Sequence, residues 1–176
     1  MRIIAGNLRR RTFDSPQSDH THPMSDKIRG ALFNVLGELD GLTVLDAFAG
    51  TGALGFEAIS RGAQSVVAIE SDRTAQQTIA TNSTALGLDA SLTLAKTTAE
   101  AWLQANPGSS FDIVLCDPPY DNMQPVLLAQ LASRALPEGL LVISAPGDAA
   151  PYAFNGFTLL RQRSYGDAQL LFYRRQ

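Results

Sequence analysis

Two short stretches of this 176-residue chain bring together residue types that point to chemistry. The first is Asp117-Pro118-Pro119-Tyr120. Its prolines fix φ and remove two N–H donors, so the stretch neither continues a ladder nor opens a helix. It is a stiff turn with free carbonyls. The Asp117 carboxylate, the Pro118 carbonyl and the Tyr120 ring suit a planar base bearing an exocyclic amine. The carboxylate and the carbonyl accept the two N–H bonds, which draws the nitrogen lone pair out of conjugation and aims it at an electrophile. Tyr120 offers a stacking face. The second stretch runs from Asp46 to Gly55 (DAFAGTGALG), where Gly50, Gly52 and Gly55 fit G-x-G-x-x-G. Glu70 stands 20 residues past Gly50, where a carboxylate grips both hydroxyls of a ribose.

Such a loop serves an adenosine-bearing cofactor. NAD or FAD would turn a pyrophosphate toward it, at a helix N-terminus that welcomes negative charge. Asp46, four residues before Gly50, repels a pyrophosphate and suits a cationic amino-acid tail. S-adenosylmethionine has that tail, with its sulfonium and ammonium groups. A nicotinamide-dependent oxidoreductase is therefore disfavoured. Phe48 and Phe56 flank the loop and are expected to pack beneath the cofactor.

These residues need a scaffold, and the pattern from residue 42 onward supplies one. Strand-like runs at 42–48, 65–70, 91–95, 111–117 and 140–145 alternate with helix-like runs at 52–61, 73–86, 98–105 and 125–135. Alternation of this kind implies right-handed crossovers and a mostly parallel sheet. Two further strands, 157–163 and 168–174, are joined by the turn Tyr165-Gly166-Asp167 and should add an antiparallel edge. The expected fold is α/β and Rossmann-like, a doubly wound, seven-stranded sheet with an antiparallel C-terminal hairpin. Residues 1–40 read as an extension, with a small hairpin pairing 2–5 with 10–13 and a helix from Asp26 to about Leu39 capped by Ser25. Residues 41–176 form the core.

Length and composition agree with one domain: 45% of residues are hydrophobic and 18% charged. Cys116 is the only cysteine, so no internal disulfide forms, and its apolar strand marks it as core. Trp102 likewise reads as a core anchor. No apolar run approaches the roughly 20 residues of a membrane span, and the N-terminus lacks the order of a secretory signal. A cytoplasmic location is expected. No metal site is expected, because nothing around His20 and His22 has ligand spacing. The net charge of −3 hides a pattern. Residues 1–30 carry six basic and three acidic side chains, and residues 161–176 four and one, on an acidic middle. Basic ends can hold a polyanion, or merely protect edges and solubility.

Together the motifs DAFAGTGALGFEAISRGA, VVAIESD and VLCDPPY resemble those of class I S-adenosylmethionine-dependent methyltransferases that act on exocyclic amines. MRIIAGNLRRRTF, SDKIRGALFNVL and YGDAQLLFYRR resemble the RsmD-type enzymes, bacterial methyltransferases of a guanine N2 amine in small-subunit (16S) ribosomal RNA. The likeness runs from about Arg2 to Arg174. It implies a catalytic set of Asp117, Pro118, Pro119 and Tyr120. It also implies a cofactor set of Asp46, Phe48, Gly50, Gly52, Gly55, Glu70 and Ser71. Three places depart from the family pattern: His22-Pro23-Met24 replaces Arg-Pro-Thr, Gly30 replaces a glutamate, and Thr97, Thr98 and Ala99 stand where an adenine-reading acid or amide is common. RNA contacts are expected from Arg9, Arg10, Arg11, His22, Lys27 and Arg29. The expected substrate is ribosomal RNA in a protein-bound assembly intermediate, and the expected state a monomer. Adenine-N6 methylation of DNA or RNA, and a catalytically silent RNA-binding assembly factor, stay open.

Overall fold

The computed structural model describes residues 1–16 and 24–176, so His20 and His22 lie outside the described residues. Among the described residues five helices and seven strands follow in the order α1 (Asp26–Leu36), β1 (Thr43–Asp46), α2 (Ala53–Ser60), β2 (Ser65–Glu70), α3 (Arg73–Leu86), β3 (Leu92–Lys96), α4 (Ala99–Ala105), β4 (Phe111–Cys116), α5 (Pro125–Ala132), β5 (Ala135–Pro146), β6 (Phe157–Tyr165) and β7 (Ala168–Arg175). The sheet order is β3-β2-β1-β4-β5-β7-β6. The first five strands are parallel, and β7 runs antiparallel to both β5 and β6. The expected fold class is the observed one. After β3 the chain returns to pair β4 with β1, which makes the carboxyl ends of those two strands the switch point where such sheets bind ligands.

Each face of the sheet is buried by different helices. Leu32 and Phe33 of α1 and Leu54 and Ala58 of α2 pack on Val44, Leu115, Val142, Leu170 and Phe172. On the opposite face Trp102, Leu103, Leu127, Leu128 and Leu131 of α4 and α5 pack on Leu45, Val114, Ile143 and Leu171. Trp102 and Cys116 are core residues, as expected. No helix among the described residues is long and apolar enough to cross a membrane.

Local chemistry moves three expected boundaries. α1 stops at Leu36 because Gly37 adopts φ +82°, and Leu39 reaches the core from the following turn. β5 begins at Ala135, which pairs with Phe111, before Leu140 pairs with Ile113. Leu136-Pro137-Glu138-Gly139, between the expected helix at 125–135 and the expected strand at 140–145, lies within β5 as an irregularity, and α5 ends at Ala132. At the N-terminus the expected hairpin is present but shortened: Arg2 and Thr12 bridge, flanked by Ile3 N–H to the Arg11 carbonyl at 2.9 Å and Phe13 N–H to the Met1 carbonyl at 3.0 Å, and the pairing stops at Ile3.

Beyond Ile3 the backbone groups are held by the core. Glu57 accepts the N–H groups of Ile4 at 2.7 Å and Ala5 at 3.0 Å. The Ser60 hydroxyl donates to the Ala5 carbonyl and accepts from Leu8 N–H. Gly6 lies so close that a Cβ would sit 1.7 Å from the Ser60 carbonyl oxygen. Asn82 exchanges two hydrogen bonds with the Asp14 backbone, and Phe13 meets Phe56 edge-on at 5.1 Å.

Candidate active site

The loop after β1 is built by left-handed glycines. Gly50 has φ +53° and Gly52 φ +78°, a region costly for residues with a side chain. A Cβ on Gly52 would also lie 2.9 Å from the Phe56 ring and 3.2 Å from Ile79. Phe56 therefore forms the floor under Gly52, fully buried, while Phe48 is half-buried against the α4–α5 side. Glu70 stands at the end of β2 as expected. One of its oxygens accepts Gly50 N–H at 2.7 Å and the other Asp72 N–H at 2.7 Å, so it shapes the loop directly. Ser71 beside it is exposed.

Asp46 ends β1 and is completely buried. Its Oδ2 accepts Gly55 N–H at 3.1 Å, tying the strand to the first turn of α2. Its Oδ1 has no partner, although buried acceptors normally find one. Burial, and then the nearby charge of Asp117, push the Asp46 carboxyl up to about 7. Burial likewise raises Asp117 to about 6, with the Ser144 hydroxyl acting the other way. Two carboxyls that resist ionising together thus stand on neighbouring strands at the switch point. An ammonium group meets both needs of Asp46, supplying a donor to Oδ1 and a compensating charge.

Beyond β4, Pro118 is buried while Pro119 and Tyr120 are exposed. The Pro119 carbonyl accepts Asn122 N–H, which closes the turn. The Pro118 carbonyl receives no hydrogen bond among the described residues, which leaves it for a ligand. Tyr120, 39% exposed, hydrogen-bonds through its hydroxyl to Ser144 Oγ at 2.7 Å. The phenol is tethered and the ring faces solvent.

Ser144 was not foreseen from the sequence. A hydroxyl inside the apolar run LLVISAP is the signal that could have found it, since a buried strand serine needs a partner. Glu57 was missed in the same way, as a charge inside a helix otherwise buried on nearly every side.

The expected RNA contacts divide. Arg9, Arg10, Arg11 and Lys27 are exposed. Arg29 is not: its guanidinium has no exposed surface, bonds to Asp26 and to the Arg2 and Met24 carbonyls, and lies 3.9 Å from Glu57. Its helix position turns it inward, where it ties α1 to α2 and cannot meet a phosphate. This removes Arg29 from the expected set.

Residues 1–174 match the family model described as Conserved hypothetical protein 95. The chain belongs to this family, that of the RsmD-type methyltransferases. A Bacillus subtilis relative, YlbH, named as a candidate rRNA methyltransferase, is 30% identical over the full length of both chains. Ribosomal RNA small subunit methyltransferase D of Haemophilus influenzae is 28% identical across 94% of this chain and 89% of its own. Among solved structures, the Escherichia coli protein YhhF, named as a candidate methyltransferase, superposes with a TM-score of 0.88 at 30% identity, covering 100% of this chain and 98% of that one. The RsmD-type family thus accounts for the whole fold, including the segment that precedes β1.

Proposed function

We propose that this protein transfers a methyl group from S-adenosylmethionine to the exocyclic N2 amine of a guanine in small-subunit ribosomal RNA. The observation that carries it is the pairing, across β1 and β4, of the unpartnered Asp46 Oδ1 with the rigid Asp117-Pro118-Pro119-Tyr120 turn. The relatives named as small-subunit ribosomal RNA methyltransferases support the choice of RNA. The guanine N2 amine rests on the family resemblance.

Asp46 and the Gly50–Gly52 loop would hold the cofactor's amino-acid end, with Glu70 at its ribose. When bound, S-adenosylmethionine supplies an electrophilic methyl group on a sulfonium. Asp117 accepts one amine N–H and the Pro118 carbonyl the other, so the nitrogen leaves planarity and its lone pair is drawn out of conjugation toward the methyl group. Tyr120, tethered by Ser144, stacks on the base and limits its rotation. Alignment of this kind is worth up to about 7–11 kcal/mol of barrier. After transfer the nitrogen loses a proton to Asp117 or to water, and a carboxyl near 6 is well matched to take it at neutral pH. The target must leave its helix to reach the turn. Arg9, Arg10, Arg11 and Lys27 would hold phosphates on an otherwise acidic body, which favours a protein-bound ribosomal particle over naked transcript.

Nucleoside mass mapping of small-subunit RNA from cells with and without the protein tests the assignment. We expect one N2-methylguanosine to disappear with the protein. Loss of N6-methyladenosine instead would transfer the activity to adenine, and an unchanged map would leave only RNA binding.

A further inference from the structure

The strand farthest from the switch point carries charge that the catalytic site does not use. β6 is the outer edge of the sheet, and its residues 158–164 are all exposed. Arg161 and Arg163 lie on it and Arg174 on the adjoining β7, all exposed and none ion-paired among the described residues.

Strand pairing gives these arginines a direction. Arg163 pairs with Leu170 and Arg161 with Phe172, and both partners belong to the core under α1 and α2. Arg174, two residues past Phe172, points to the same side. Leu170 pairs in turn with Ser144. Cys116 pairs with Ile143, so the next residues, Asp117 and Ser144, stand level with each other. One row therefore crosses the sheet as Asp117, Ser144, Leu170, Arg163. Three strand spacings separate its ends, roughly 14 Å at about 4.8 Å each.

We propose that Arg161 and Arg163, extended by Arg174, form a second RNA-backbone contact that holds phosphates flanking the target nucleotide. This rests on the RNA substrate proposed above and places the RNA path along the catalytic edge toward β6. Charge complementarity selects the occupant. A net charge of −3 makes an unpaired arginine row an unusual feature of this chain. A second copy pairing antiparallel along β6 would set arginines of one chain close to those of the other, which is unfavourable.

Filter binding to small-subunit ribosomal particles, measured across salt concentrations, decides the matter. Arg161→Ala/Arg163→Ala should weaken binding by about tenfold and lower the salt slope by about 1–1.5, because each lost phosphate contact removes about 0.7 on single strands. Arg161→Lys/Arg163→Lys should restore the slope, since a phosphate also accepts a point charge. The thermal shift caused by S-adenosylmethionine should not change in either variant. Wild-type affinity and slope in the alanine variant would overturn the proposal, as would an effect confined to the sedimentation of the free protein, the mark of a copy-to-copy edge. Binding is read without turnover, so this outcome is distinct from finding a methylated nucleoside other than N2-methylguanosine.

Discussion

Glu57 on α2 and Asp46 at the end of β1 are both fully buried acids, and they are treated in opposite ways. Glu57 receives Ile4 and Ala5 N–H, takes the Arg61 guanidinium at 2.8 Å, and has Arg29 at 3.9 Å. Asp46 receives one N–H, from Gly55, and keeps Oδ1 unpartnered beside a second acid. A paired buried charge is a fastener, whereas an unpaired one is held in reserve. Removing one partner of a buried pair strands the other, but an acid left unpaired costs stability and is retained for a ligand.

The largest test breaks the fastener. Glu57→Ala removes the buried carboxylate that Arg61 and Arg29 face and frees the Ile4 and Ala5 N–H groups, so it should cost about 3–5 kcal/mol. Urea unfolding measures this, with cofactor affinity of the folded fraction preserved. A loss under about 1 kcal/mol would make Glu57 no more than an exposed ion pair.

On the other side, Asp117→Ala should lower turnover by about 10²–10³-fold, the scale for removing one preorganised group. Its urea midpoint should not fall, and S-adenosylmethionine should still bind. Asp46→Asn should weaken S-adenosylmethionine by about 10–100-fold through a lost charge-assisted bond, yet leave the free protein no less stable. The pH dependence sharpens this. Both acids bind protons more tightly folded than unfolded, so they make stability fall as pH rises from about 4 to about 7. Asp46→Asn should flatten the upper part of that decline. Cofactor affinity should rise with pH through about 7, because the ammonium selects ionised Asp46. An equal fall in both proteins would place the titration elsewhere.

Smaller effects probe the supports. Ser144→Ala frees the Tyr120 phenol and should cost about 0.5–1.5 kcal/mol, read as a higher KM for RNA, and because it removes the hydroxyl that opposes the rise of the Asp117 carboxyl it should also shift the kcat profile to higher pH. Arg10→Ala/Arg11→Ala should lower the salt slope of RNA binding by up to about 1–2, with cofactor affinity unchanged. An unaltered slope would leave those arginines a role in solubility alone.

Much of the core fold was legible because its signals are local. Ser25, Asp72 and Thr98 cap the helices that they precede, and Gly87 closes α3 in the left-handed conformation. The switch-point motifs were legible for the same reason, being contiguous stretches with fixed backbone demands. What escaped was long-range. Arg29 resembles any surface arginine until α1 turns it toward α2, and Ser144 gains meaning only when β5 sets it beside the Tyr120 turn. The N-terminal hairpin is shorter than expected because Glu57 takes the Ile4 and Ala5 N–H groups that further pairing would have used.

The central claim is that the reserved acid and the rigid turn form one methyl-transfer site. Transfer of tritiated methyl from S-adenosylmethionine to small-subunit ribosomal particles tests it most directly, comparing wild type with Asp117→Ala at saturating cofactor. The account predicts label in guanosine N2 with the wild type and a loss of about 10²–10³-fold in the variant, with cofactor binding intact. Equal labelling by both proteins would contradict it.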